Sequence, residues 1–263
     1  MIFSGRLGAG GLVACWLLAG GSCGTAQVTE TPVTVAPGNL LVRMDGVTLG
    51  FDRDRAPAAG NRYTAVGVAG TVVSAGLTSS VDVQVGFQLF LRQTYETAGG
   101  ARTSRSGLGD LQFRTKWTFW RDDSSGAAAA VIPYVKVPSN SGGVGNRAVE
   151  GGLMVPWAMN VGGGARAGAM LRWDVVRNDA NNGYDARWLA TGFIQRNLTK
   201  SIGFYGETTL AVASTGLADW RGSLGAGLLW SLTKNLQLDY ELTRGLNRSA
   251  TDWVHILRLN WLW

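Results

Sequence analysis

Trp253-Val254-His255-Ile256-Leu257-Arg258-Leu259-Asn260-Trp261-Leu262-Trp263 ends the sequence. Leu257, Leu259, Trp261 and Trp263 fall on one side of a period-two pattern, and Arg258 and Asn260 fall on the other. Successive side chains of a strand point to opposite faces, so the stretch reads as a strand with one apolar and one polar face, finishing on an aromatic residue.

Such an ending resembles the C-terminal signature of bacterial outer-membrane barrels, which the barrel assembly machinery reads. The other end of the chain fits export. Arg6, the apolar run from Leu12 to Ala19 and the small residues Gly24-Thr25-Ala26 have the layout of a secretory signal peptide, with cleavage expected after Ala26. Leu12-Val13-Ala14-Cys15 also fits a lipoprotein signal, but cleavage there would leave apolar Trp16-Leu17-Leu18 where a polar tether is usual. The expected organisation is a signal peptide over 1–26, a periplasmic N-terminal tail over 27–40 and an outer-membrane barrel over 41–263.

Both cysteines, Cys15 and Cys23, lie in the presumed leader, so the mature chain offers neither a disulfide nor a thiolate metal site. No uninterrupted apolar run reaches the roughly 18 residues of a membrane helix, and any membrane span must be made of strands. Glycine at 38, tryptophan at 11 and only 16% charged residues suit short strands, tight turns and aromatic belts better than a soluble core. The net charge of +6 is spread singly along alternating segments, without the basic stripe that nucleic-acid binding needs.

From Leu41 the chain divides into segments of about 9 to 14 residues, the length a tilted strand needs to cross a bilayer. The proposed strands are 41–51, 63–75, 80–93, 108–120, 128–138, 149–160, 164–176, 185–197, 201–213, 220–232, 235–246 and 252–263. The fold class is therefore all-β, a transmembrane antiparallel up-and-down barrel of twelve strands. Ten remain if 41–51 and 63–75, where glycine and alanine blur the period, are set aside. Alternation is clearest where Val81, Val83, Val85, Phe87, Leu89 and Leu91 oppose Asp82, Gln84, Gln88 and Arg92. A soluble sandwich would show the same alternation. The leader, the aromatic terminus and the tryptophans at strand ends (Trp117, Trp120, Trp220, Trp230, Trp253, Trp261, Trp263) favour the membrane.

The polar sides of these strands carry the candidate lumen-lining residues: Asp82, Arg114, Lys116, Lys136, Arg166, Arg172, Asp174, Arg187, Glu207, Asp239, Glu241 and Arg258. A midplane Arg or Lys facing lipid would cost roughly 2 to 4 kcal/mol, so these residues are expected to point inward. There they either fill and stiffen the barrel as a mixed-charge network or line a path that selects solutes. Cations outnumber acids in this set, which suggests an anionic solute.

Enzymatic chemistry has little support. His255 is the only histidine; a barrel hydrolase needs a serine, a histidine and an orienting group within reach, and His255 shares the lipid-facing parity of Leu257 and Leu259. No dense Asp/Glu spacing suits calcium, and Asp122-Asp123 sits in an expected turn. Gly107-Leu108-Gly109-Asp110 precedes a strand rather than the helix that a phosphate loop requires. No metal or other cofactor is expected. Glu30-Thr31-Pro32-Val33-Thr34-Val35-Ala36 resembles the box by which energy-coupled outer-membrane receptors contact their partner, yet the mature chain is too short for the plug and wide barrel of such receptors.

Gly107-Leu108-Gly109-Asp110-Leu111-Gln112-Phe113-Arg114 resembles the strand entry of the outer-membrane transporter family named for the meta-cleavage pathway of phenol degradation. Ile132-Pro133-Tyr134-Val135-Lys136-Val137-Pro138, Phe204-Tyr205-Gly206-Glu207 and Asp239-Tyr240-Glu241-Leu242-Thr243-Arg244-Gly245-Leu246-Asn247 follow in the order that family shows. Pro138-Ser139-Asn140 departs from the Pro-Thr-Gly usual there. The resemblance implies passage of aromatic or similar small organic compounds across the outer membrane. Twelve strands lie between a filled barrel and a wide porin, which suits a narrow, passive, substrate-restricted pore in a monomer surrounded by outer-membrane lipid. The competing readings are a lipid-modifying barrel enzyme and a closed structural or adhesive barrel.

Overall fold

The computed structural model describes residues 28–53, 60–145, 147–178, 182–213 and 216–263, without the side chains of 216–219. The proposed leader, with Arg6 and both cysteines, lies outside the described residues. The strands are β1 (Leu40–Arg53), β2 (Arg62–Gly76), β3 (Val81–Glu96), β4 (Arg102–Gly107), β5 (Leu111–Asp122), β6 (Ala127–Val137), β7 (Glu150–Gly162), β8 (Ala165–Arg177), β9 (Tyr184–Asn197), β10 (Ile202–Ala213), β11 (Gly216–Ser231), β12 (Leu236–Gly245) and β13 (Trp253–Leu262). All pairings are antiparallel and join chain neighbours, except that β3 pairs with β5 past β4 and β1 pairs with β13, so twelve strands close into an up-and-down barrel. The thirteenth, β4, lies in the stretch 94–107 that the sequence pattern assigns to a loop. β3 pairs with β5 only through Gly86, and from Leu91 outward it pairs with β4. The wall thus rises locally above β5.

The alternation is inside-out relative to a soluble protein. Along β5, Gln112, Arg114, Lys116 and Thr118 are buried, while Phe113, Trp117 and Phe119 are about half exposed. An apolar exterior around a buried polar interior is stable only where lipid replaces water outside. Buried apolar clusters are small, such as Ile132 with Met154 and Met170. Tryptophans occupy the outer surface near both strand ends, with Trp261 and Trp263 stacked at 5.9 Å beside the seam. There β13 closes on β1 through paired Leu40 and Trp263 backbone bonds of 2.7 Å.

The inward set changes parity partway along β1 to β3. Arg43 and Asp45 are buried in β1, the register shifts between Asp45 and Val47, and beyond it Thr48 is buried while Phe51 is exposed. On β2, Ala69 opposes this irregularity with a φ of 51°, and the buried residues switch from Val72 and Ser74 to Ala65 and Tyr63. On β3 they switch from Asp82 and Gln84 to Leu91. Bulges re-aim side chains in this way, and periodicity read straight through 41–51 misses the change.

Connections at the rim where β1 begins and β13 ends are tight, whereas the longer ones lie at the opposite rim. The N-terminal stretch departs most from expectation. From Val28 it does not trail away from the barrel but runs inside it, because its polar groups find partners on the inner wall.

Candidate lumenal site

Residues 28–35 cross the lumen from one wall to the other. At one side the Val28 and Thr29 backbone N–H groups donate to the two carboxylate oxygens of Glu207 on β10, each at 2.7 Å. The Thr29 hydroxyl donates to Glu207 at 2.6 Å and lies 2.6 Å from the Thr191 hydroxyl on β9. At the other side the Val35 N–H donates to Asp82 on β3 at 3.0 Å, and the Thr118 hydroxyl donates to the Pro32 carbonyl at 2.5 Å. Around the twelve-strand ring β10 and β3 are diametrically opposed. The segment therefore spans the full diameter.

Glu30 is its electrostatic anchor. One carboxylate oxygen accepts from Arg43 Nη1 at 3.1 Å and the other from Arg114 Nη1 at 2.7 Å. Lys116 Nζ donates to the Val33 carbonyl at 3.3 Å. Burial by itself would raise the Glu30 pKa, but Arg43, Arg114 and Lys116 outweigh it and hold the carboxyl at about 2, below its ordinary 4.5. A depressed carboxyl contributes to docking fully above its free-state value, and the contribution is lost as pH falls through the docked value. Loss of the Glu30 contribution is therefore expected to raise conductance below about pH 4, and Glu30→Gln removes that acid-induced rise; planar-bilayer recordings between about pH 5 and 3 check it.

The segment leaves the lumen beside Gly76. A Cβ at that position would lie 2.1 Å from the Ala36 carbonyl oxygen and 2.5 Å from that of Val35, so only glycine admits the chain there. Gly38, with a φ of 79°, then turns the backbone toward β1.

The remaining buried charges form three groups. Arg258 donates from Nε to Asp45 at 2.5 Å and from Nη1 to Asp239 at 2.7 Å, with Glu241 at 3.7 Å. The Tyr205 hydroxyl joins this group through Asp239 and Glu241. Lys136 bridges Glu150 at 2.6 Å and Asp110 at 3.3 Å. Arg172 pairs with Asp174 at 2.6 Å, and both contact the Tyr134 hydroxyl.

Of the sequence candidates, Asp82, Arg114, Lys116, Lys136, Arg172, Asp174, Glu207, Asp239, Glu241 and Arg258 are buried. Arg166 and Arg187 are half-buried on the inward parity of β8 and β9, near opposite rims. The cationic surplus does not survive. Asp45, Glu150 and Glu30 join the buried set, so buried acids exceed buried cations among the described residues. Instead cations and acids are grouped: Arg43, Arg114 and Lys116 gather around Glu30, while Asp45, Asp239 and Glu241 gather around Arg258. Sequence reasoning missed Glu30, Arg43, Asp45 and Glu150. The available signal was that Glu30 is the sole charge between Gln27 and Val42.

His255 has intermediate exposure; its Nδ1 lies 2.9 Å from the Tyr240 hydroxyl and its ring meets Phe51 edge-on. Among the described residues no group of His, Cys, Asp or Glu is arranged to hold a metal ion.

Residues 24–263 match the family model described as "Putative MetA-pathway of phenol degradation". No curated protein matches the chain. Among solved structures, the COG4313 outer membrane channel from Pseudomonas putida F1 is similar at 11% identity and a TM-score of 0.64, covering 89% of this chain and 97% of that one. The translocator domain of the autotransporter NalP from Neisseria meningitidis aligns at 10% identity and a TM-score of 0.57, covering 86% and 89%. The NanC porin aligns at 12% identity and a TM-score of 0.53, covering 84% and 98%. At these identities the likeness is one of fold.

Proposed function

This chain belongs to the family described by the MetA pathway of phenol degradation, and from that premise we propose that it is a passive outer-membrane channel for small organic solutes, with residues 28–35 as its closing element. The carrying observation is that a segment without strand pairing crosses a charge-lined lumen on hydrogen bonds and ion pairs that water or solute can replace. The fold shared with outer-membrane channels supports the reading.

The docked segment indicates what the lumen accepts. A carboxylate is met by Arg43 and Arg114, and N–H donors are met by Glu207. Small organic acids, aromatic ones included, fit the first wall. Arg166 and Arg187 stand nearer the rims, where an entering solute meets them, and the Lys136 and Arg172 groups stiffen the wall between. The protein works as a monomer in outer-membrane lipid, inserted by the assembly machinery through β13.

Liposome swelling with a chain lacking residues 28–36 tests this reading. Benzoate and benzyl alcohol should enter while large oligosaccharides stay out. A folded, truncated barrel that admits none of them would contradict it. That outcome would favour the closed structural barrel, for which the multiply paired Arg258 and Lys136 speak.

A further inference from the structure

We propose that the outward face of β1 to β4, beyond the parity change at Gly46 and Ala69, binds the phosphate groups of a phosphoglycolipid in the outer leaflet. Four residues lie on one register line across these strands: Arg53 opposite Arg62, Arg62 opposite Glu96, and Glu96 opposite Arg102. Two residues inward, the next line reads Phe51, Thr64, Thr94 and Ser104, with the Thr94 and Ser104 hydroxyls 2.9 Å apart. Below it come Leu49, Val66, Arg92 and Ser106, and then Val47, Val68 and Phe90.

The face is the outer one. It carries exposed Phe51, Val68 and Phe90, whereas Tyr63, Ala65 and Leu91 on the other side are buried. It stands at the rim opposite the start of β1 and the end of β13, which an outer-membrane barrel whose first and last strands meet on the periplasmic side presents to the exterior.

Its chemistry is layered: Arg53, Arg62 and Arg102 outermost, then the hydroxyls of Thr64, Thr94 and Ser104, then mainly apolar side chains with Arg92 and Ser106 among them. That order matches phosphate, sugar and acyl chain. All four arginines are exposed, and among the described residues none of them forms an ion pair. Glu96 is the one carboxylate in these four lines. Like charges placed directly opposite on neighbouring strands repel, so Arg53 against Arg62 is a pairing that an intervening anion would relieve. Arginine forks suit phosphate oxygens bidentately. A fifth arginine, Arg244, lies 5.0 Å over the Trp253 ring, and Trp253 pairs with Phe51 across the seam.

The test titrates the folded, detergent-solubilised full chain with diphosphorylated lipid A, its dephosphorylated form and inorganic phosphate alone. Wild type should bind the diphosphorylated lipid saturably and the dephosphorylated form at least tenfold more weakly, and millimolar phosphate should not compete. Arg53→Glu with Arg62→Glu should weaken lipid binding at least tenfold, and Arg92→Gln should weaken it by a smaller factor, with both variants keeping the heat-modifiable gel mobility of a folded barrel. Absence of binding by wild type, unchanged affinity in both variants, or full competition by inorganic phosphate would overturn the proposal.

Discussion

Deleting residues 28–36 is expected to raise single-channel conductance several-fold. A twelve-strand barrel lies between the eight-strand size that side chains fill and the 16 to 18 strands of open porins, so a chain crossing its whole diameter is the main obstacle to flow. The barrel should survive, because closure rests on the β1–β13 ladder and the Leu40–Trp263 bonds, none of which involves the deleted residues. Glu30→Gln is the milder version. It leaves the Arg43–Arg114–Lys116 wall without its counter-charge and should give frequent, incomplete openings. Unchanged conductance in a folded deletion variant would mean that the current path, if any, bypasses the segment.

The second large effect concerns the wall itself. Arg258→Met should lower barrel stability by about 3 to 5 kcal/mol, the usual consequence of removing one partner from a buried ion pair. Three carboxylates, Asp45, Asp239 and Glu241, would be left facing one another in the lumen. Arg258→Lys keeps the charge but cannot reach Asp45 and Asp239 with a fixed fork, so it should fall between wild type and Met. Urea unfolding in lipid vesicles reads the difference as a lower midpoint. An unshifted midpoint for Arg258→Met would show that water already screens these acids.

The barrel was legible in the sequence because lipid and lumen impose opposite demands on alternate residues. Val83 and Val85 against Asp82 and Gln84 need no further context to be read. Three features resisted for physical reasons. β4 is six residues, Arg-Thr-Ser-Arg-Ser-Gly, with no apolar alternation, and all of them but Gly107 are exposed. The parity change near Gly46 depends on a bulge, and glycine and alanine around it carry no polarity signal. The N-terminal segment has no strand period because it pairs with side chains rather than with a neighbouring backbone. Its place is set by Glu30, Thr29 and the glycine at 76, whose relation appears only once β1, β5 and β10 face one lumen.

The lumenal candidates show the same division. Parity located the inward positions that are buried, but the balance of charge came out wrong, because Arg43, Asp45 and Glu150 sit at strand stretches whose alternation is faint. Which charges face one another cannot be read from a linear chain, since Arg114 and Glu207 are placed by the order of strands around the ring.

The most direct measurement is the current through a chain carrying Thr29→Cys and Thr191→Cys. The two hydroxyls lie 2.6 Å apart, so thiols there should bridge on oxidation without moving the walls. With the bridge confirmed, the oxidised protein should hold its low-conductance state at all voltages and at pH 3, and reduction should restore openings like those of the full-length chain. If the oxidised protein instead passes ions and benzoate as readily as the reduced one, residues 28–35 do not close the lumen.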